Sequence, residues 1–166
     1  MAIKITQIQG YLDEMGVNYE NRDDETLIFP MSDEDNKIII ITKVMEDGEY
    51  IQMRTLKHLD DLVAEATEEK RVALLKWMLN KNYSRKLGAW EYDPEDHDHH
   101  ISVGHSIEDG DLTMKQFMRM FKIVANSLDD IPEMKEILGV SGGMSAKEKK
   151  RQELMKQLQE LEEDGI

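Results

Sequence analysis

Residues 37–45, KIIIITKVM, carry four consecutive isoleucines, Ile38 to Ile41, in a chain of 166 residues. β-Branched side chains lose χ1 freedom in a helix and pack well on a pleated surface, so the segment reads as a strand. Spanning a bilayer takes about 20 apolar residues, which this run does not approach. An apolar run without alternation fits a strand covered on both faces for part of its length, and therefore one in the interior of a sheet. Two more β-type segments flank it, TLIFP at 26–30 and YIQMRTL at 50–56, with the turn residues SDEDN and EDGE at the junctions. The three form an antiparallel meander.

Helical spacing surrounds the meander. Ile5, Ile8, Leu12 and Met15 recur at steps of three and four before Gly16, which predicts a helix over 4–15. A second helix is expected over 67–80, where Glu68 and Glu69 suit the positive end of the dipole and Val72, Leu75 and Leu79 share one face with Met78 beside them. Strands follow at 87–92 and 99–107. A third helix over 113–128 opens with a T-x-x-Q capping box, Thr113 and Gln116, and lines Met114, Phe117, Phe121, Val124 and Leu128 on a core face. A short last helix starts at Pro132.

The fold class is therefore α+β: helix, three antiparallel strands, helix, two strands, helix, plus a C-terminal helical tail. One domain covers 1–139. Gly142 and Gly143 mark a hinge at 140–144, and an amphipathic tail helix is expected over 145–166, opened by Ser145 and Glu148 and striped by Leu154, Leu158 and Leu161. Two heptads are too few to stand alone in water, so this helix either frays or docks.

The net charge of -14 opposes binding to phosphate backbones and anionic membrane surfaces and favours basic or amphipathic partners. The tail holds five basic and six acidic residues, so the acidity belongs to the domain. Without cysteine there is no disulfide, thiolate metal site or cysteine nucleophile, which suits a reducing compartment. The N-terminus MAIKITQIQGYL has no uninterrupted apolar stretch, and a cytoplasmic location is expected.

DPEDHDHH, residues 93–100, raises the question of a metal site. Pro94 after Asp93 is good turn chemistry, and a DPED turn sets Tyr92 opposite His97 and Trp90 opposite His99. His97, His99, Ile101 and Val103 then share the face of Trp90 and Tyr92, while His100 points away. H-x-H on one strand face gives His97 and His99 as a metal pair, but a zinc site needs at least one more protein ligand. The segment reads first as a hairpin tip. His58 reads as a surface residue, and the paired acids Asp23/Asp24, Asp60/Asp61 and Asp129/Asp130 fall in loops or at helix ends. Phosphate-loop, dinucleotide, nucleophile-elbow and zinc-protease motifs are all missing, so no cofactor and no enzymatic activity are expected.

Two stretches carry a resemblance. ALLKWMLNKNYSRKLGAWEYD, 73–93, runs from a helix through an Asn-containing corner into a Gly-aromatic strand, and HHISVGHSIEDGDLTMKQFMRMF, 99–121, adds a strand, an acidic Gly turn and a Leu-Thr helix start. Over about residues 3–138 the chain resembles the YbjN family of bacterial proteins, whose relatives include the class I type III secretion chaperones. That resemblance implies a secretion-chaperone-like fold and a homodimeric, non-enzymatic chaperone or adaptor that holds a polypeptide client. Met118 and Ile123, flanking the core stripe of the third helix, are the candidate partner-binding residues. The alternative is a metal- or small-ligand-responsive regulator built on the 93–100 hairpin.

Overall fold

The computed structural model describes residues 2–56 and 58–140, together with Arg151, Leu154, Met155 and Gln157. Apart from Val140 and those four residues, the expected hinge and tail helix lie outside the described residues. The order is α1 (Ile5–Glu14), β1 (Glu20–Asn21), β2 (Thr26–Ser32), β3 (Lys37–Met45), a 3-10 turn (Glu46–Gly48), β4 (Tyr50–Leu56), α2 (Asp60–Glu65), α3 (Glu68–Ser84), β5 (Ala89–Tyr92), β6 (His99–Ser106), α4 (Met114–Ala125) and α5 (Ser127–Ile137). Within residues 2–140 the expected strands and the first two expected helices are present, and the two-residue β1 extends the sheet at one side.

The strands form one antiparallel sheet in the order β1-β2-β3-β4-β6-β5. Alternation sends Leu27, Phe29, Ile38, Ile40, Ile51, Met53, Trp90, Ile101 and Val103 to one face, where they form a single core with residues of all the helices. Side chains of this kind contribute about 1.5–3 kcal/mol each on full burial. β3 is interior, as its isoleucines require. Its second face, however, is covered by neighbouring strands' side chains: Ile28, Ile41, Arg54, Ser102 and Ala89 run in one cross-strand row, with Ile41 buried and Ile39 half-buried.

Three local devices hold the helices in place. Thr113 Oγ1 accepts the Gln116 N–H at 3.2 Å and Gln116 Oε1 accepts the Thr113 N–H at 2.8 Å, the capping box the sequence predicts. Asn82, at the α3–β5 corner, donates from Nδ2 to the Trp90 carbonyl at 2.9 Å and accepts the Trp90 N–H at 2.7 Å, standing in for a neighbouring strand. α5 ends in a Schellman arrangement, with Gly139 at φ 74° and the Val140 N–H on the Lys135 carbonyl at 2.9 Å. Replacing Asn82 by alanine orphans two backbone groups of a buried residue and is expected to cost about 2 kcal/mol or more, read as a lower urea midpoint.

The helix expected over 113–128 is divided. α4 stops at Ala125 and α5 starts at Ser127, whose hydroxyl donates to the Val124 carbonyl at 2.6 Å. Asp129 and Asp130 occupy the first turn of α5, so Pro132 lies inside this helix and does not start it.

α3 also departs from expectation. Its buried residues are Leu74 and Met78, and the face shared by Val72, Leu75 and Leu79 points away from the core. At 100° per residue Val72, Leu79 and Tyr83 fall within about 40° of one another, on the side opposite Leu74. They are 42%, 67% and 93% exposed.

Candidate functional site

The hairpin tip is wider than the turn chemistry suggests. The Asp93 N–H donates to the Asp98 carbonyl at 2.8 Å, the His97 N–H to the Asp93 carbonyl at 2.9 Å, and His97 takes the left-handed conformation at φ 66°. Pairing starts at Tyr92↔His99 and Trp90↔Ile101, two residues away from the register expected of a DPED turn. A shift of two preserves the faces, so Trp90, Tyr92, His99, Ile101 and Val103 still point together. His100 points outward, its Nε2 2.7 Å from Glu91 Oε2.

His97 and His99 are drawn to different partners. His97 Nδ1 lies 2.7 Å from the Tyr92 hydroxyl. His99 is fully buried: its Nε2 accepts the Leu59 N–H at 3.3 Å, and its Nδ1 donates to the His97 carbonyl at 3.2 Å, which fixes the neutral tautomer. Burial lowers the His99 pKa, while the His97 carbonyl, Asp60 and Asp98 pull it up and His100 pushes it down. Among the described residues no group of three or more His, Asp or Glu is arranged to hold a metal ion.

His58 is not a surface residue. It is 6% exposed, packed edge-on to Trp90 with ring centres 5.1 Å apart, and 6.3 Å from the His99 ring. Trp90 in turn meets Trp77 at 5.7 Å. Neither His58 nitrogen has a hydrogen-bond partner of normal geometry among the described residues. Burial first, and then His99, hold its pKa down at about 3, opposed in part by the Ser127 backbone. This imidazole borders a cleft of about 480 Å³ lined by Asn36, Lys37, Asp60, Asp61, Ile131 and Lys135 among others.

A second concavity runs along α4. Met114, Lys115, Met118, Arg119 and Lys122 line about 450 Å³, so two flexible apolar side chains alternate with three cations on a chain that is otherwise acidic. Met118 is 36% exposed and lies in this groove. Ile123 does not join it. It is half-buried against the core and packs over Gly88, where an added Cβ would lie 2.8 Å from Ile123 Cγ2.

Neither protein-family models nor curated proteins match the sequence. Solved structures do. YbjN from E. coli aligns with a TM-score of 0.52 and 11% identity, over 78% of this chain and 89% of YbjN. The secretion-chaperone-like fold is therefore shown. The ExsC-ExsE complex aligns with a TM-score of 0.51 and 11% identity, over 78% of this chain and 93% of the other. The HopA1-SchA chaperone-effector complex gives 0.50 and 12%, over 76% and 90%. In this secretion-chaperone-like domain α3 and α4 both pack against the sheet, α3 on β5 and α4 on β4 and β6, and each turns a further apolar surface outward. No helix among the described residues is long and apolar enough to cross a membrane.

The sequence singles out Met118, which the structure places at the surface along α4, but it reads His58 as a surface residue and puts the exposed side of α3 in the core. For α3 the signal was present, since Val72, Leu75 and Leu79 on one side and Leu74, Trp77 and Met78 on the other make the helix apolar nearly all round. Such a helix has more apolar surface than one sheet face covers.

Proposed function

We propose that the chain is a non-enzymatic protein-binding module of chaperone or adaptor type, cytoplasmic and homodimeric, which holds a polypeptide segment in the α4 groove. The observation that carries this reading is the groove itself, with Met114 and Met118 between Lys115, Arg119 and Lys122. Methionine adapts to varied apolar side chains, and the cations select for carboxylates nearby. The overall charge alone favours basic partners; the groove favours an amphipathic acidic segment. Two of the structural neighbours are complexes of two named proteins, ExsC with ExsE and HopA1 with SchA, which agrees with a polypeptide partner here. Ile123, half-buried on the other flank of α4, contributes by holding the helix and not by touching the client.

Affinity capture from the native host's extract with the full chain is expected to retain one saturable polypeptide. Met118→Asp should weaken its retention about tenfold or more, near 1.4 kcal/mol, without unfolding a residue this exposed. Equal capture by the variant would remove the groove from the proposal.

A ligand-responsive role has one observation in its favour, the buried His58, whose ring nitrogens make no hydrogen bond of normal geometry among the described residues, beside the 480 Å³ cleft. It centres on that cleft and not on the 93–100 hairpin, because both His99 nitrogens are already engaged.

A further inference from the structure

The groove side of α4 is ordered into two files. Counted at about 100° per residue from the buried Phe117, Met114 and Met118 fall near 60° and 100°, and Lys122, Lys115 and Arg119 follow between about 140° and 200°. Phe121 and Val124 stay on the Phe117 side, in the core. An apolar file therefore runs beside a cationic one along the helix.

The cations are without carboxylates of their own. Lys115, Arg119 and Lys122 are exposed, and none of the three forms an ion pair among the described residues. This occurs in a chain with 35 acidic residues against 21 basic ones. Charge complementarity across the groove thus calls for acids from outside, next to apolar side chains that reach Met114 and Met118.

The two files also select the conformation of what binds. An extended chain turns every second residue towards a surface, so it offers a single file of side chains and meets the methionines or the cations, not both. A helix offers adjacent files at once. Lys115, Arg119 and Lys122 are four and three residues apart, the steps at which side chains line up on a helix, so a second helix can match all three with its own acids. Consecutive residues differ by about 100° and fall on adjacent files. The complementary sequence is then a run of apolar–acid doublets repeated at three- and four-residue steps.

We infer that the client segment binds α4 as a helix lying along it, with an acidic file against Lys115, Arg119 and Lys122 and a neighbouring apolar file against Met114 and Met118. This rests on the groove being the client site and gives that client a conformation and a sequence pattern.

Two synthetic peptides of identical composition test it, titrated into the full chain at low salt and followed by fluorescence anisotropy and circular dichroism. One carries Leu-Glu doublets at alternating three- and four-residue steps. In the other each Glu is moved a further residue from its Leu, to about 200° around the helix, so that no side of it presents both files. The doublet peptide should bind at least tenfold more tightly and gain helical signal on binding, and Met118→Asp should remove its advantage. Equal affinities, tighter binding of the rearranged peptide, binding without a gain of helix, or no binding of either would overturn the inference. A client whose capture needs Met118, found together with two peptides that bind alike, would leave the groove as the client site and overturn the helical partner alone.

Discussion

Acidification from pH 6.5 towards 3 should unfold the protein earlier than its carboxylates require, because His58 and His99 are buried neutral. The sign follows from linkage. The folded-state pKa of His58 is held at about 3 against an ordinary value of 6.5, so between the two the unfolded chain takes a proton that the folded chain refuses. The stability involved is complete above 6.5 and falls as the pH drops, by about 1.4 kcal/mol per unit for one such histidine. His99 is lowered in the same direction and adds to the loss. Across the whole window His58 alone accounts for roughly 4–5 kcal/mol, comparable to the total stability of many domains. The decisive comparison is the urea midpoint of wild type and His58→Leu between pH 6.5 and 5, above most carboxylate titration. Wild type should lose stability more steeply. The two tryptophans, Trp77 and Trp90, belong to the same aromatic cluster and report the transition by fluorescence. Parallel curves for the two proteins would show that His58 is not the acid-sensitive group.

The second large effect separates two adjacent residues. Phe117 is fully buried, 5.5 Å from the Tyr11 ring, at the point where α4 meets α1. Phe117→Ala removes a large side chain from a site walled by other elements, and a cost of about 3–5 kcal/mol is expected. Urea unfolding should show a large drop in midpoint, with loss of the folded state near physiological temperature if the starting stability is ordinary. Met118→Asp, one residue on, should change the midpoint little and act on binding instead. A Phe117→Ala cost below about 1 kcal/mol would mean that α1 collapses into the space and that the α1–α4 contact is softer than its packing implies.

These residues also show what the sequence made legible. The inward face of α4, the capping box at Thr113 and Gln116, and the strand positions follow from short-range periodicity and local hydrogen bonding. The Trp90–His99 face was legible because alternation survives a shift of two residues. The register was not, because His97 adopts a left-handed conformation that no nearby glycine announces. His58 was out of reach for another reason. Its cover comes from Trp90 and His99, more than thirty positions away in the chain, and only the closing of α2 and α3 over the sheet brings them together. The stripe on α3 is the opposite case: its residues were visible, but which side of an apolar helix the core would take depends on the sheet beneath it.

The margins of that sheet bear on how the protein behaves when crowded. β1 pairs only with Leu27 and Ile28 of β2, so the open rim on that side is Phe29–Ser32, with Pro30 in its middle. Proline has no N–H to offer an arriving strand. The opposite rim, β5, is four residues long, and Asn82 already occupies the main-chain groups of Trp90. Neither rim provides a continuous ladder for runaway sheet growth, so a chain that leaves several apolar side chains in water is nonetheless poorly suited to seeding fibrils.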